Sequence, residues 1–446
     1  MSFWDRYTAK GLNPGTYRHD GTGALAGHRF HLRVDSQMKG VLLVDASKLL
    51  FLNGTAIDLV RCILSGMGEK KTASYMRGRY NGLKKDKAIA DFHKTRDKIV
   101  AFAKGDMTGI IHETPDTQTF GADDLPSPYR MDLALTYRCQ NECGHCYNED
   151  RQVDELSKDK WIEVIDHLWK IGIPHIVFTG GEPTLVPHLR ELIVRSEDAG
   201  QITGLITNGR KLREEGYLRD LVKVGLDHVQ ITVLSHRESV HDKLVGQEGA
   251  WKETVEGLKV ALAEDLYVST NTTIMTENLP DIEETLRFLI GLGAKNIAFN
   301  GIIRSGKGKE ANAVSYDELK VLLSRVVVIA KEDGVNLVWY TPTPYCDLNP
   351  LEYGLGIKQC TACSINMAIE PDGSVLPCQS YYETLGNILT DRWPRIWDAD
   401  LCRKIRNRQY MAERCTECMI SDVCGGGCPL SLEHGDYVCL DRSSNV

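Results

Sequence analysis

The chain has 446 residues, a formal net charge of -8 and fourteen cysteines. It carries no basic stripe and no apolar run near the ~20 residues a membrane helix needs, so neither a nucleic acid nor a membrane is expected as partner. The cysteines cluster at ligand spacings and no charged-then-apolar signal segment is present, which points to a reducing, cytoplasmic compartment rather than a disulfide-stapled secreted protein.

This length predicts two or three domains. In chain order, residues 30–34, 41–44 and 49–52 read as strands, residues 55–64 have helical spacing, and residues 86–102 form a further helix. They make a small first domain, 1–112. The stretch PDTQTFGADDLPSP (115–128) is rich in Pro, Asp, Thr and Gly and lacks periodicity, so 113–128 is assigned as a linker. From residue 129 strand and helix alternate. Strands are predicted at 133–136, 175–178, 205–207, 228–233, 267–274 and 296–302, with helices such as 161–170, 251–264 and 281–292 between them. Such alternation implies an α/β fold with a parallel sheet wound by right-handed crossovers and a ligand at the carboxyl ends of the strands. The core domain is drawn at 129–340, and a cysteine-rich domain at 341–446.

The first core strand runs into Cys139, Cys143 and Cys146, spaced CxxxCxxC. Iron-sulfur clusters are normally held by four cysteines, so three thiolates on a four-iron cluster leave one iron open to bind something else. Taken alone, the spacing also suits three ligands of a zinc site or of an electron-transfer cluster. The second strand runs into Thr179, Gly180, Gly181, Glu182, Pro183 and Thr184. The two glycines permit close approach of backbone to a ligand, and the proline fixes the turn.

CxxxCxxC after the first strand with GGEP after the second resembles the radical S-adenosylmethionine (SAM) enzymes. The resemblance implies a partial (β/α)6 barrel, an open iron that chelates the amino and carboxylate groups of SAM, and a GGEP turn (Gly180, Gly181, Glu182, Pro183) that helps bind the amino group. A reduced cluster would then split SAM into methionine and a hydrogen-abstracting 5'-deoxyadenosyl radical, chemistry that the cofactor carries and the protein positions. His145 matches the position that contacts adenine in relatives. Thr232 stands where relatives carry a serine, and Asn208, Asn271 and Asn300 end or follow other strands near the mouth; each is a cofactor-binding candidate or an ordinary strand-end cap. Relatives often carry an arginine for the SAM carboxylate where this chain has Val245, so Lys243 or another group must serve there, without the planar fork of a guanidinium.

Further along, Cys360 and Cys363, then Gly373 and Cys378, precede Cys415, Cys418, Cys424, Cys428 and Cys439. This pattern resembles the SPASM extension of peptide-modifying radical SAM enzymes, which implies two auxiliary 4Fe-4S clusters and three in all. By that resemblance Cys415, Cys418, Cys424 and Cys439 hold the outer one, and Cys360, Cys363, Cys378 and Cys428 the inner one. Cys346 could replace Cys360, and two interleaved four-cysteine sites are also a zinc arrangement. Cys62 and Cys402, in apolar helical surroundings, read as small buried hydrophobes. Sulfatase-maturing relatives place an aspartate base directly after the cysteine matching Cys378; Gln379 stands there and has no accessible pKa for that work, so formylglycine formation is disfavoured. The catalytic acid or base remains unassigned.

Residues 40–64 (GVLLVDASKLLFLNGTAIDLVRCIL) resemble the small winged-helix-like α+β domain that recognises leader peptides of ribosomally made peptides by adding a strand to its three-stranded sheet. Alternatively the domain only caps the barrel. The expected function is an oxygen-sensitive radical SAM enzyme that crosslinks or oxidises a precursor peptide held by its leader, with ferredoxin or flavodoxin as electron donor. Its rivals are a radical SAM enzyme acting on a small molecule or cofactor precursor, as heme-modifying relatives do, and a non-catalytic metal-cluster scaffold.

Overall fold

In the computed structural model the described residues are 12–34, 38–45, 48–104 and 126–436, and they divide into two compact units, Met1–Pro126 and Ser127–Val446. Most of the linker segment, and Cys439, lie outside the described residues.

The first unit is an antiparallel meander, β1 (Gly15–Asp20), β2 (Arg29–Val34), β3 (Gly40–Val44) and β4 (Lys48–Leu52), followed by α1 (Gly54–Leu64), α2 (Glu69–Arg79) and α3 (Lys85–Ala103). Phe30, Leu32, Val34, Leu42 and Val44 point to one face of the sheet and pack in one core with Ile57, Val60, Ile99 and Phe102. Asn53 caps α1 by accepting the amide of Ala56 at 2.9 Å. Asp58, fully buried on α1, pairs with Arg79 and accepts the hydroxyls of Tyr75 at 2.9 Å and Tyr80 at 2.8 Å, tying α2 and the turn after it to α1. The sheet has four strands where three were expected. Strand β1, GTYRHD, escaped notice because its residues are mostly polar and none is fully buried, and α2 because it buries only Thr72, Ala73 and Met76.

The second unit is built on a ten-stranded sheet. β5 (Arg130–Thr136), β6 (His175–Gly180), β7 (Ile202–Thr207), β8 (His228–Thr232), β9 (Tyr267–Thr273), β10 (Asn296–Asn300) and β11 (Asn336–Trp339) run parallel, each beside the next in sequence. Between them lie α4 (Lys158–Lys170), α5 (Leu189–Ala199), α6 (Tyr217–Lys223), α7 (Glu238–Val245), α8 (Ala250–Ala263), α9 (Ile282–Gly291) and α10 (Tyr316–Glu332). Strand β6 is buried throughout, as a parallel strand covered on both faces must be. All six predicted core strands are present, and β11 adds a seventh. On the other edge β12 (Asn366–Ile369) pairs parallel with β5, and β13 (Ser374–Leu376) and β14 (Gly386–Asn387) follow antiparallel. The cysteine-rich segment therefore continues the core sheet instead of standing apart from it. Among the described residues no helix is long and apolar enough to cross a membrane.

Candidate functional site

A cavity of about 1270 Å³ opens at the carboxyl ends of the parallel strands. Thr179 and Gly180 of β6, Thr207 and Asn208 at the end of β7, Gln230 and Thr232 of β8, Asn271 and Thr273 of β9, and Asn300 of β10 line it. The volume exceeds that of a typical site for one drug-sized ligand, leaving room for a cofactor and part of a second molecule.

Cys139, Cys143 and Cys146 line this cavity from the loop after β5. The loop is held by its own backbone: the amides of Glu142 and Gly144 donate to the carbonyls of Val245 and Leu244 at the end of α7, and Cys146 accepts the amide of Gly308 at 3.3 Å. Asn208 offers its side-chain N–H to Cys139 Sγ at 3.9 Å. Burial pushes the Cys143 thiol up to about 12, with the neighbouring thiols of Cys146 and Cys139 adding to it. Cys139 and Cys146 are raised for the same first cause. Such thiols give up their protons when a cationic cluster takes them, which couples cluster binding to proton release. Among the described residues no three cysteine, histidine or carboxylate side chains converge on a single point; the three thiols stand around a shared cavity instead.

The GGEP turn packs against the start of the cysteine loop. A Cβ on Gly180, whose φ is +129°, would run into the carbonyl of Thr136, and one on Gly181 would lie 2.6 Å from the carbonyl of Tyr137. What the glycines admit is the start of the cysteine loop. The amides of Gly181 and Glu182 donate to Thr136 and Arg138 at 2.7 and 2.9 Å and fasten it. Gly180 and Gly181 also face the cavity, but Glu182 and Pro183 do not. The Glu182 carboxylate, fully buried, accepts the amide and hydroxyl of Thr184 at 3.0 and 2.7 Å, the Thr207 hydroxyl at 2.7 Å and the Asn208 amide at 2.8 Å. It joins the turn after β6 to the end of β7 and so positions Asn208 beside Cys139. Burial raises its pKa, and these hydrogen bonds work in the opposite direction.

His145, Thr232, Asn271 and Asn300 also line the cavity. Burial lowers His145 to about 4, so its imidazole is neutral near neutral pH. Its buried Nδ1, and Oδ1 of Asn271, have no hydrogen-bond partner among the described residues. Asn300 donates to the carbonyl of Gly301 at 2.9 Å and to the Thr273 hydroxyl at 3.3 Å. Sequence reasoning missed Gln230, two residues before Thr232 on the same face of β8, although strand alternation could have found it. It also passed over Arg151 and Lys307, which carry no motif.

From the cysteine-rich segment, Cys360, Cys378 and Cys428 line the same cavity, together with Gln379, whose buried Oε1 has no partner among the described residues. Burial lifts Cys378 to about 12 and raises Cys360 and Cys428 as well. Cys363 is fully buried at a φ of +56° and does not face the cavity. Its thiol is raised chiefly by burial and then by a hydrogen bond with Cys402, the residue read from sequence as an inert hydrophobe. Cys415, Cys418 and Cys424 lie around the short helix Ser421–Cys424 and the turn before it. Tyr345 donates its amide to Cys424 Sγ at 3.2 Å, so the segment bearing Cys346 runs alongside this second set. Cys346, unlike Cys360, does not line the cavity. The two regions are linked directly: Asn148 donates to the carbonyl of Gly180 at 2.8 Å and accepts the hydroxyl of Tyr382 at 3.0 Å.

Comparison with known proteins agrees with this geometry. Residues 133–289 match the radical SAM superfamily, and residues 360–419 match SPASM, an iron-sulfur cluster-binding domain. Residues 133–289 are thus similar to a radical SAM domain and residues 360–419 to a SPASM domain. A PqqA peptide cyclase of Bradyrhizobium diazoefficiens is 28% identical over 330 residues, 70% of this chain and 84% of the relative. An AdoMet-dependent heme synthase of Methanosarcina barkeri is 26% identical over 318 residues, 67% of this chain and 91% of the relative. In fold the chain resembles Streptococcus suis SuiB bound to its precursor peptide SuiA, with a TM-score of 0.64, 16% identity and coverage of 90% of this chain and 96% of that one.

Proposed function

We propose that this enzyme uses SAM and three 4Fe-4S clusters to crosslink or oxidise a ribosomally made peptide. The observation that carries the reading is the single cavity lined both by Cys139, Cys143 and Cys146 and by Cys360, Cys378 and Cys428. A substrate there would meet both sets of thiols. The names of the relatives support a peptide, and the likeness in fold to SuiB extends over 90% of the chain.

Cys139, Cys143 and Cys146 would hold the cluster that, when reduced and bound to SAM, supplies a 5'-deoxyadenosyl radical. Cys360, Cys363, Cys378 and Cys428, and Cys415, Cys418, Cys424 and Cys439, would hold the auxiliary clusters, which take up the surplus electron. The chain's own part is positional. Gly180 and Gly181 let the turn after β6 fasten the root of the cysteine loop; Asn208 steadies the Cys139 sulfur; neutral His145 and the amide of Asn271 offer unspent polar atoms to the cofactor. We read the first unit as the holder of the leader, so that tethering raises the effective concentration of the reacting residue. The heme synthase relative keeps a second reading open, action on a cofactor precursor.

Anaerobic incubation with SAM, reductant and a candidate precursor peptide tests the proposal. The expected result is 5'-deoxyadenosine together with a peptide that has lost hydrogen mass; 5'-deoxyadenosine without any change in a peptide from the same gene cluster, but with turnover of a porphyrin, would move the reading to the second one.

A further inference from the structure

Among the described residues five Arg and Lys side chains line the cavity, and four are paired. Arg130 pairs with Asp132 at 2.5 Å, Arg138 with Glu155 at 3.1 Å, Arg151 with Glu370 at 3.0 Å and Lys309 with Glu149 at 3.3 Å. The Lys307 ammonium has no hydrogen-bond or ion-pair partner among the described residues. Its place is nevertheless fixed with care. Gly306, at a φ of +52°, lets the backbone pass the cysteine loop so closely that a Cβ there would stand 2.7 Å from the carbonyl oxygen of Cys146. On its other side the amide of Gly308 donates to that same carbonyl at 3.3 Å. Lys307 is thereby pinned at the third cysteine of the loop, and its ammonium bears electrostatically on the sulfurs of Cys143 and Cys146.

The Lys307 side chain is exposed at the cavity wall, while the backbone on either side of it is clamped. Val245 lines the cavity as a buried apolar side chain that can bind no anion, and Lys243 is exposed and does not reach the cavity. We propose that Lys307 is the carboxylate anchor of this site, taking the carboxylate at the amino-acid end of SAM. The assignment rests on the radical SAM reading of the cavity. An acidic residue of a peptide offers the same chemistry, so binding is measured with SAM alone.

The test is anaerobic titration calorimetry on the full, cluster-loaded chain with SAM and with decarboxylated SAM, which keeps the sulfonium and adenosine but lacks the carboxylate. In Lys307→Met, SAM affinity should fall by about tenfold or more, as expected for a lost hydrogen bond between charged groups. The decarboxylated compound should bind the variant as well as it binds the parent. Lys307→Arg should restore most of the SAM affinity, and iron content and melting temperature should match the parent in both variants. Unchanged SAM binding by Lys307→Met overturns the assignment, and so does an equal loss of affinity for both compounds. A parent chain that binds no SAM at all would instead overturn the proposed function beneath it.

Discussion

The amide of Gly181 donates to the carbonyl oxygen of Thr136 at 2.7 Å, and this bond fastens the turn after β6 to the root of the cysteine loop after β5. The two motifs that first attract attention in the sequence are thus two halves of one backbone junction. Gly181 to alanine should break it, because the added methyl would collide with the carbonyls of Tyr137 and Arg138, neither of which is a flexible side-chain end. The expected cost is about 1–3 kcal/mol of stability, together with loss of iron from the cysteine loop. Thermal melting and iron analysis would check both, and full iron content in the variant would show that the junction does not hold the loop.

Cys143 to alanine should remove the iron of one cluster, about four atoms per chain, and abolish 5'-deoxyadenosine formation. The cysteines of residues 360–428 are untouched by this change, so the remaining iron should persist. Metal analysis read beside product formation separates this outcome from general collapse.

Cys363 and Cys402 are both fully buried, yet their substitution should have different consequences. Cys402 to alanine removes one small buried group and should lower stability by about 1 kcal/mol with iron unchanged. Cys363 to alanine should lose auxiliary-cluster iron. Equal iron loss in the two variants would make Cys402 a ligand in its own right.

Acid should destabilise this protein before its carboxylates titrate. Burial lowers His241 to about 4, and its Nδ1 accepts the amide of Leu234 at 3.2 Å, which fixes the neutral ring; Asp242 raises and His145 lowers it further. Burial, then the charge of Arg130, lowers His228 to about 3, and its ring faces His175 at 2.7 Å. An unfolded histidine takes up its proton near its ordinary value of 6.5, while these folded ones stay neutral. Below that pH the unfolded chain therefore binds more protons, and stability falls as pH drops. Urea unfolding at a series of pH values should show this slope, and His241→Asn should flatten it.

If the first unit holds a leader peptide, deleting residues 1–112 should weaken binding of a labelled precursor while 5'-deoxyadenosine is still formed. Fluorescence anisotropy reads the first and chromatography the second. Equal peptide affinity with and without those residues would leave the unit no part in recognition.

Local pattern carried much of this molecule. The six core strands, the spacing of Cys139, Cys143 and Cys146, and the paired glycines after β6 are contiguous features, and short-range periodicity and ligand spacing report them directly. Strand β1 and helix α2 left no such trace, because they bury too little apolar surface to impose a period. Tertiary structure alone could show that the glycines clamp a loop, that Glu182 spends its carboxylate on Thr184, Thr207 and Asn208, that Cys363 is buried away from the cavity that Cys360 and Cys378 face, and that the Lys307 ammonium, unpaired among the described residues, bears on Cys146. The division has one physical cause. Period and spacing depend on neighbours along the chain, whereas the partner of a buried polar group is set by which distant segments the sheet brings within hydrogen-bond reach.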